Sequence, residues 1–279
     1  MLGKLLKYEI KAMGRVMLPL YGVLLFVAGL LALNLRLGMN PAIRQIVDKF
    51  AVISGFLFVI GIIAVGVVMI VMIVQRFYKN LLGTEGYLMF SLPATTLEHI
   101  LSKGLSALLW IIIGGVAGIA AGFLMVGIVS DVPEFLRQIR ELRDMFFSSW
   151  TTEFVLFIVL IIVGLMESLC KVYAAISVGH QFNSHRLLFS ALAYIAFGII
   201  EMVISLPLSS DGVAFGKIIG KIVDTNGMPP ASALWILIVI SLIGILIYGA
   251  LAWYLLDRRL NLVAQKLRPQ LAHRLEARV

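Results

Sequence analysis

The chain has 279 residues, of which 61% are hydrophobic and only 14% charged, and its formal net charge is +8. A soluble domain carries about 25% charged residues; here the charges are missing in blocks, which excludes an ordinary water-soluble domain. The basic excess sits mostly at the ends of the apolar blocks, so it reads as membrane topology and contact with anionic headgroups, not as nucleic-acid binding.

The N-terminal segment, residues 1–15, places Lys4, Lys7, Lys11 and Arg15 within about 80° of arc on a helical wheel. Leu2, Leu5, Leu6, Ile10 and Met13 lie opposite. This pattern predicts an amphipathic helix at the membrane surface. Glu9 falls in the middle of its apolar face. Its bland explanation is local pairing or a return to water; its sharper one is a basic partner on a neighbouring helix end, such as Arg76 or Lys103. The segment lacks the small-residue cleavage site of a secretory signal, so the first span is expected to be retained. Leu2 occupies the place that myristoylation requires for glycine.

Six apolar runs then follow, each near the length of about 20 helical residues that crosses a bilayer. They lie near Val16–Leu35, Ala51–Val74, Leu105–Val129, Phe154–Gly179, Leu187–Leu208 and Ala231–Leu256. None alternates as a barrel strand would, so the fold class is an all-α integral membrane protein with a transmembrane domain over residues 16–256. With both ends inside, the interior segments hold 14 Lys/Arg and the outer loops eight. That bias predicts both termini in the cytoplasm, with residues 257–279 as a C-terminal tail.

The loop between the second and third spans is not a simple tether. Thr84 can cap a short helix that Pro93 stops, and Tyr87, Leu88, Met89, Phe90 and Leu92 make it apolar. Such a surface must bury against this chain or against a partner. Thr95-x-x-Glu98 fits a capping box opening the next helix. In the outer loop before the fourth span, Asp131-x-x-Glu134 is followed by Phe135, Ile139, Leu142 and Phe146 at helical spacing. Arg137–Glu141 and Arg140–Asp144 fit i,i+4 pairs, and together they predict a short amphipathic helix. The last outer loop, SSDGVAFGKIIGKIVDTNGMPPAS, has enough apolar residues to dip into the interface.

Ionisable residues inside spans are functional suspects because each is costly unless paired. Glu167 and Lys171 stand at i,i+4 in the fourth span, in the favourable order for an intrahelical pair. They either neutralise each other within the bundle or line a substrate route. Glu201, in the fifth span, either lines a vestibule or reaches for the interface. Gly114, Gly118 and Gly122 form two overlapping GxxxG steps, expected to serve helix packing within one subunit ahead of a dimer seam.

Catalytic signatures are absent. GVAFGKIIG has the wrong spacing for a phosphate-binding loop, and Ile218 stands where Ser or Thr is required. There is no HExxH helix and no nucleophile elbow. The single cysteine, Cys170, builds neither a disulfide nor a cysteine metal site within one chain, and no metal ligand set is expected.

Three stretches carry a resemblance: MLGKLLKYEIKAMGRVMLPLYG; RFYKNLLGTEGYLMFSLPATTLEHILSKGLSALLW, whose SLPATTLEHILSK part is the most specific; and YAAISVGHQFNSHR with YLLDRRLNL. The chain resembles the membrane subunit of ABC transporters of the type-2 exporter class, particularly small permeases of Gram-positive bacteria. The resemblance implies that the loop between spans two and three holds a coupling helix seated on a separate ATPase subunit. Glu85, Tyr87, Leu88, Met89, Phe90 and Leu92 would provide those contacts. It also implies an ATPase contact for Lys4, Lys7, Glu9 and Lys11, and a second permease subunit, identical or sister. ATP and Mg would be bound by the ATPase partner, with no cofactor in this chain, and the location would be the bacterial cytoplasmic membrane. Such permeases are expected to stop near Leu262, beyond which VAQKLRPQLAHRLEARV is an extension. The competing readings are a stand-alone ion-coupled carrier using Glu167, Lys171 and Glu201, and a membrane scaffold without transport activity.

Overall fold

A computed structural model describes residues 2–40, 44–79, 95–148, 152–182, 185–210 and 231–276. The described residues form seven helices and no strands: α1 (Leu2–Leu37), α2 (Arg44–Phe77), α3 (Thr96–Val129), α4 (Val132–Ser148), α5 (Thr152–Gly179), α6 (Arg186–Ser210) and α7 (Ala231–Glu276). All but α4 are long and apolar enough to cross a bilayer. Each of the six coincides with one of the runs read from the sequence. Their large side chains face outward: Phe56 is 67% exposed and Leu246 71%. Surfaces of that kind call for hydrocarbon as solvent. The chain is a multi-pass membrane protein.

The boundary expected between an interfacial helix and the first span, near residue 15, carries no break. Residues 2–37 form one continuous helix. Gly14 alone is a weak interruption, and Pro19 is accommodated inside the helix. The amphipathic pattern is nevertheless obeyed at its start. Lys4, Lys7, Lys11 and Arg15 are exposed, while Glu9 and Met13 are buried. At the other end of the chain, α7 runs on through Glu276, so the tail expected from residue 257 continues the last span's helix.

The chain divides into two compact units. One contains Gly3–Arg76 and Leu105–Thr151. In it α1 and α3 run parallel, with partners rising together along both helices. Trp110 Nε1 donates to the Ile10 carbonyl at 3.2 Å, and Tyr21 Oη donates to the Trp110 carbonyl at 2.8 Å. Near the far end Arg36 donates to the Ile128 carbonyl at 2.8 Å. In contrast, α2 runs antiparallel to α1: Glu9 meets Arg76, and Asn34 donates to Ser54 at 3.2 Å. Alternation of this kind is what successive membrane crossings require.

Amphipathic α4 forms where its pattern predicted. Arg137 pairs with Glu141 as its i,i+4 spacing suggested, at 3.8 Å, and also bonds Glu134 at 2.7 Å. Asp144 pairs with its neighbour Arg143 at 2.8 Å, not with Arg140. The Arg137 guanidinium holds the Glu134 carboxyl below the usual carboxylate range.

The other unit contains Phe77–Gly104 and Thr152–Val279, with Met1–Leu2. Its central element is α5, which packs on both α6 and α7. Leu156, Leu234 and Ile238 make a buried cluster between α5 and α7. Phe77 stacks on Tyr173 with ring centroids 4.2 Å apart. The capping box at the start of α3 is reciprocal, as expected: the Glu98 amide donates to Thr95 Oγ1 at 3.3 Å, and the Thr95 amide to Glu98 Oε2 at 3.0 Å.

Candidate functional site: a polar cluster within the spans and an anchored first helix

The ionisable groups of the spans converge in the second unit, on facing stripes of α5, α6 and α7. A helix rises 1.5 Å per residue, so Glu167 lies about 22 Å along the axis from Thr152 and about 18 Å from Gly179. Gly244 likewise stands about 20 Å from Ala231. The cluster is therefore central in helices that must cross about 30 Å of hydrocarbon.

Lys171 does not pair with Glu167 as its i,i+4 spacing suggested. Its Nζ reaches across to Glu201 Oε2 on α6, at 2.5 Å. The other Glu201 oxygen accepts from Tyr248 Oη on α7 at 2.6 Å. The Tyr194 ring lies 5.1 Å from the same Nζ, within cation–π range. Thus Glu201 has both oxygens occupied, one by an ammonium and one by a phenol. It belongs to a three-helix tie, with its side chain 41% exposed.

Glu167 faces α7 instead. Its carboxyl hydrogen-bonds the Ser241 hydroxyl and lies directly over Gly244. A Cβ at Gly244 would sit 2.8 Å from Glu167 Cδ and 3.1 Å from Cγ. Glycine is therefore what lets the carboxyl lie against the α7 backbone. Tyr194, Ser241, Gly244 and Tyr248 were not singled out in the sequence, although a signal was there. Ser241, Gly244 and Tyr248 recur at i, i+3 and i+7, and Tyr194, Gly198 and Glu201 at i, i+4 and i+7. Small and polar residues at that spacing in an apolar helix mark the face turned to another helix.

In the other unit the sharper expectation for Glu9 holds. Its Oε2 takes a hydrogen bond from Arg76 Nη1 at 2.5 Å, with the Glu9 side chain only 8% exposed and that of Arg76 21%. An acid on the apolar face of α1 is thus neutralised by the last basic residue of α2. Lys103, the other basic residue considered for that role, is itself buried.

Among the described residues, only Gly114 of the glycine stripe makes a close approach. A Cβ there would meet Tyr21 Oη at 2.7 Å, whereas nothing lies within 4 Å of a Cβ at Gly118 or Gly122. Glu85, Tyr87, Leu88, Met89, Phe90 and Leu92 lie outside the described residues, as do the last outer loop and its GVAFGKIIG segment. Among the described residues no group of three or more His, Cys, Asp or Glu side chains is placed to hold a metal ion.

The chain matches no protein-family profile, no curated protein and no solved structure.

Proposed function

We propose that the chain is the permease subunit of an ATP-binding-cassette exporter of the bacterial cytoplasmic membrane, working as a dimer and driven by a separate ATPase. The observation that carries this reading is the Glu9–Arg76 bridge. It fastens the basic start of α1 to the foot of α2, four residues before the apolar segment 80–94 begins. In the resembling exporters these two segments are the ones that meet the ATPase. A helix end fixed by a part-buried ion pair transmits a push better than a frayed one. The reciprocal Thr95–Glu98 box does the same for the helix that leaves the segment. Movement of residues 84–92 on ATP binding would then be passed to α2 and α3 together. The six apolar helices offer a route suited to lipidic or amphipathic cargo, and ATP chemistry belongs to the partner.

The test is co-purification, from the native membrane, with an ABC-type ATPase subunit. Phe90→Asp and Leu92→Asp should abolish association while leaving membrane insertion intact; normal association of both variants overturns the coupling assignment. A second reading, a stand-alone ion-coupled carrier, is favoured by the Lys171–Glu201–Tyr248 tie within the spans. Vanadate inhibition of reconstituted transport supports the first reading, and strict dependence on an ion gradient supports the second.

A further inference from the structure

The spans' central cluster contains two carboxyl groups and one amine, and the amine is committed. Lys171 makes its ion pair with Glu201, whose second oxygen is taken by Tyr248. Among the described residues Glu167 has no basic group within ion-pair distance. Its hydrogen bond goes to the Ser241 hydroxyl, a neutral partner. The titratable groups around it are Cys170 and Lys171 on its own helix, Glu201 on α6 and Tyr248 on α7. None adds a second positive charge. Gly244 opposite it offers bare backbone and no donor side chain.

A carboxylate in that place would leave the cluster with one net negative charge in the middle of helices that span hydrocarbon. An isolated charge there is strongly disfavoured, and a carboxyl group escapes the cost by taking a proton from water. Serine fits the neutral form, because its hydroxyl can accept from the acid O–H as readily as it donates to a carboxylate. We propose that Glu167 is a proton-binding site within the membrane, its carboxyl protonated at neutral pH and hydrogen-bonded to Ser241 over Gly244, beside the Lys171–Glu201 ion pair. This goes beyond the exporter reading and stands whether or not an ATPase drives the chain. A protonated acid can also hand its proton to a carbodiimide nitrogen while its oxygen adds to the central carbon, forming an O-acylisourea, so Glu167 is the expected site of labelling by an apolar carbodiimide.

Infrared spectroscopy of the full chain in lipid nanodiscs tests this. The wild type at pH 7 should show the carbonyl stretch of a protonated carboxylic acid, shifting on exchange into heavy water. The band should vanish in Glu167→Gln, which keeps the size of the side chain and a hydrogen bond to Ser241. In Ser241→Ala it should persist at a shifted frequency, which keeps the test open if the glutamine variant fails to fold. Absence of the band in the wild type at pH 7, its survival in Glu167→Gln, or an unshifted band in Ser241→Ala overturns the proposal.

Discussion

Glu9→Gln removes the negative charge that faces Arg76 while keeping the shape of the side chain. Removing one partner of a fully buried ion pair costs about 3–5 kcal/mol, because the other charge is left without compensation. An exposed pair contributes about 0–1 kcal/mol. The Glu9 side chain is 8% exposed and that of Arg76 is 21%, so the guanidinium can recover part of its hydration. The expected loss is about 2 kcal/mol for Glu9→Gln and a similar amount for Arg76→Met. The double variant should lose little more than either single one, giving a coupling energy of about 1–2 kcal/mol. The four proteins, unfolded in the same nanodisc lipid, supply the cycle. Losses that add to within about 0.5 kcal/mol would show that the two side chains do not act as a pair, and would refute the reasoning.

Lys171→Met should destabilise the chain by about 2 kcal/mol, less than a fully buried pair because the Glu201 side chain is 41% exposed, and adding Glu201→Gln should restore most of the loss; thermal unfolding of the pair of variants checks this. Gly114→Ala should cost about 1–3 kcal/mol through its collision with Tyr21 Oη, whereas Gly118→Ala and Gly122→Ala should be near neutral. Tyr21→Phe should relieve part of the Gly114→Ala defect, read as recovered unfolding temperature. The Glu134 carboxyl is held below its ordinary value by Arg137, so the stabilisation it gives α4 is present at neutral pH and is lost as pH falls through the lowered value. Hydrogen-exchange protection of the α4 amides should drop in that acid window, and Glu134→Gln should remove the dependence.

The spans were legible because hydrocarbon imposes one rule on every residue of a helix, and a run either obeys it over about 20 positions or does not. The Thr95–Glu98 box and α4 were legible because their signals are local, three or four residues apart. The partner of Lys171 was not. An i,i+4 rule sees one helix, and the long lysine stem reached another. The uniform apolarity of α5, α6 and α7 hides which face turns inward, so only the sparse stripes of glycine, serine and tyrosine betray it. The glycine stripe divides for a geometric reason: each four-residue step drifts about 40° around the helix. Gly114 therefore meets α1, while Gly118 and Gly122 turn progressively away. The boundary read near residue 15 carries no break in the helix, because a change from amphipathic to wholly apolar pattern alters the solvent around a helix without breaking its backbone.

In the proposed exporter, this chain transmits the work of another. Purify it from its native membrane, and measure the stoichiometry of any ABC-type ATPase that accompanies the wild type and Phe90→Asp. A vanadate-sensitive ATPase should be bound to the wild type and missing from the correctly inserted variant. A wild-type protein that transports its cargo with no ATPase attached would contradict it.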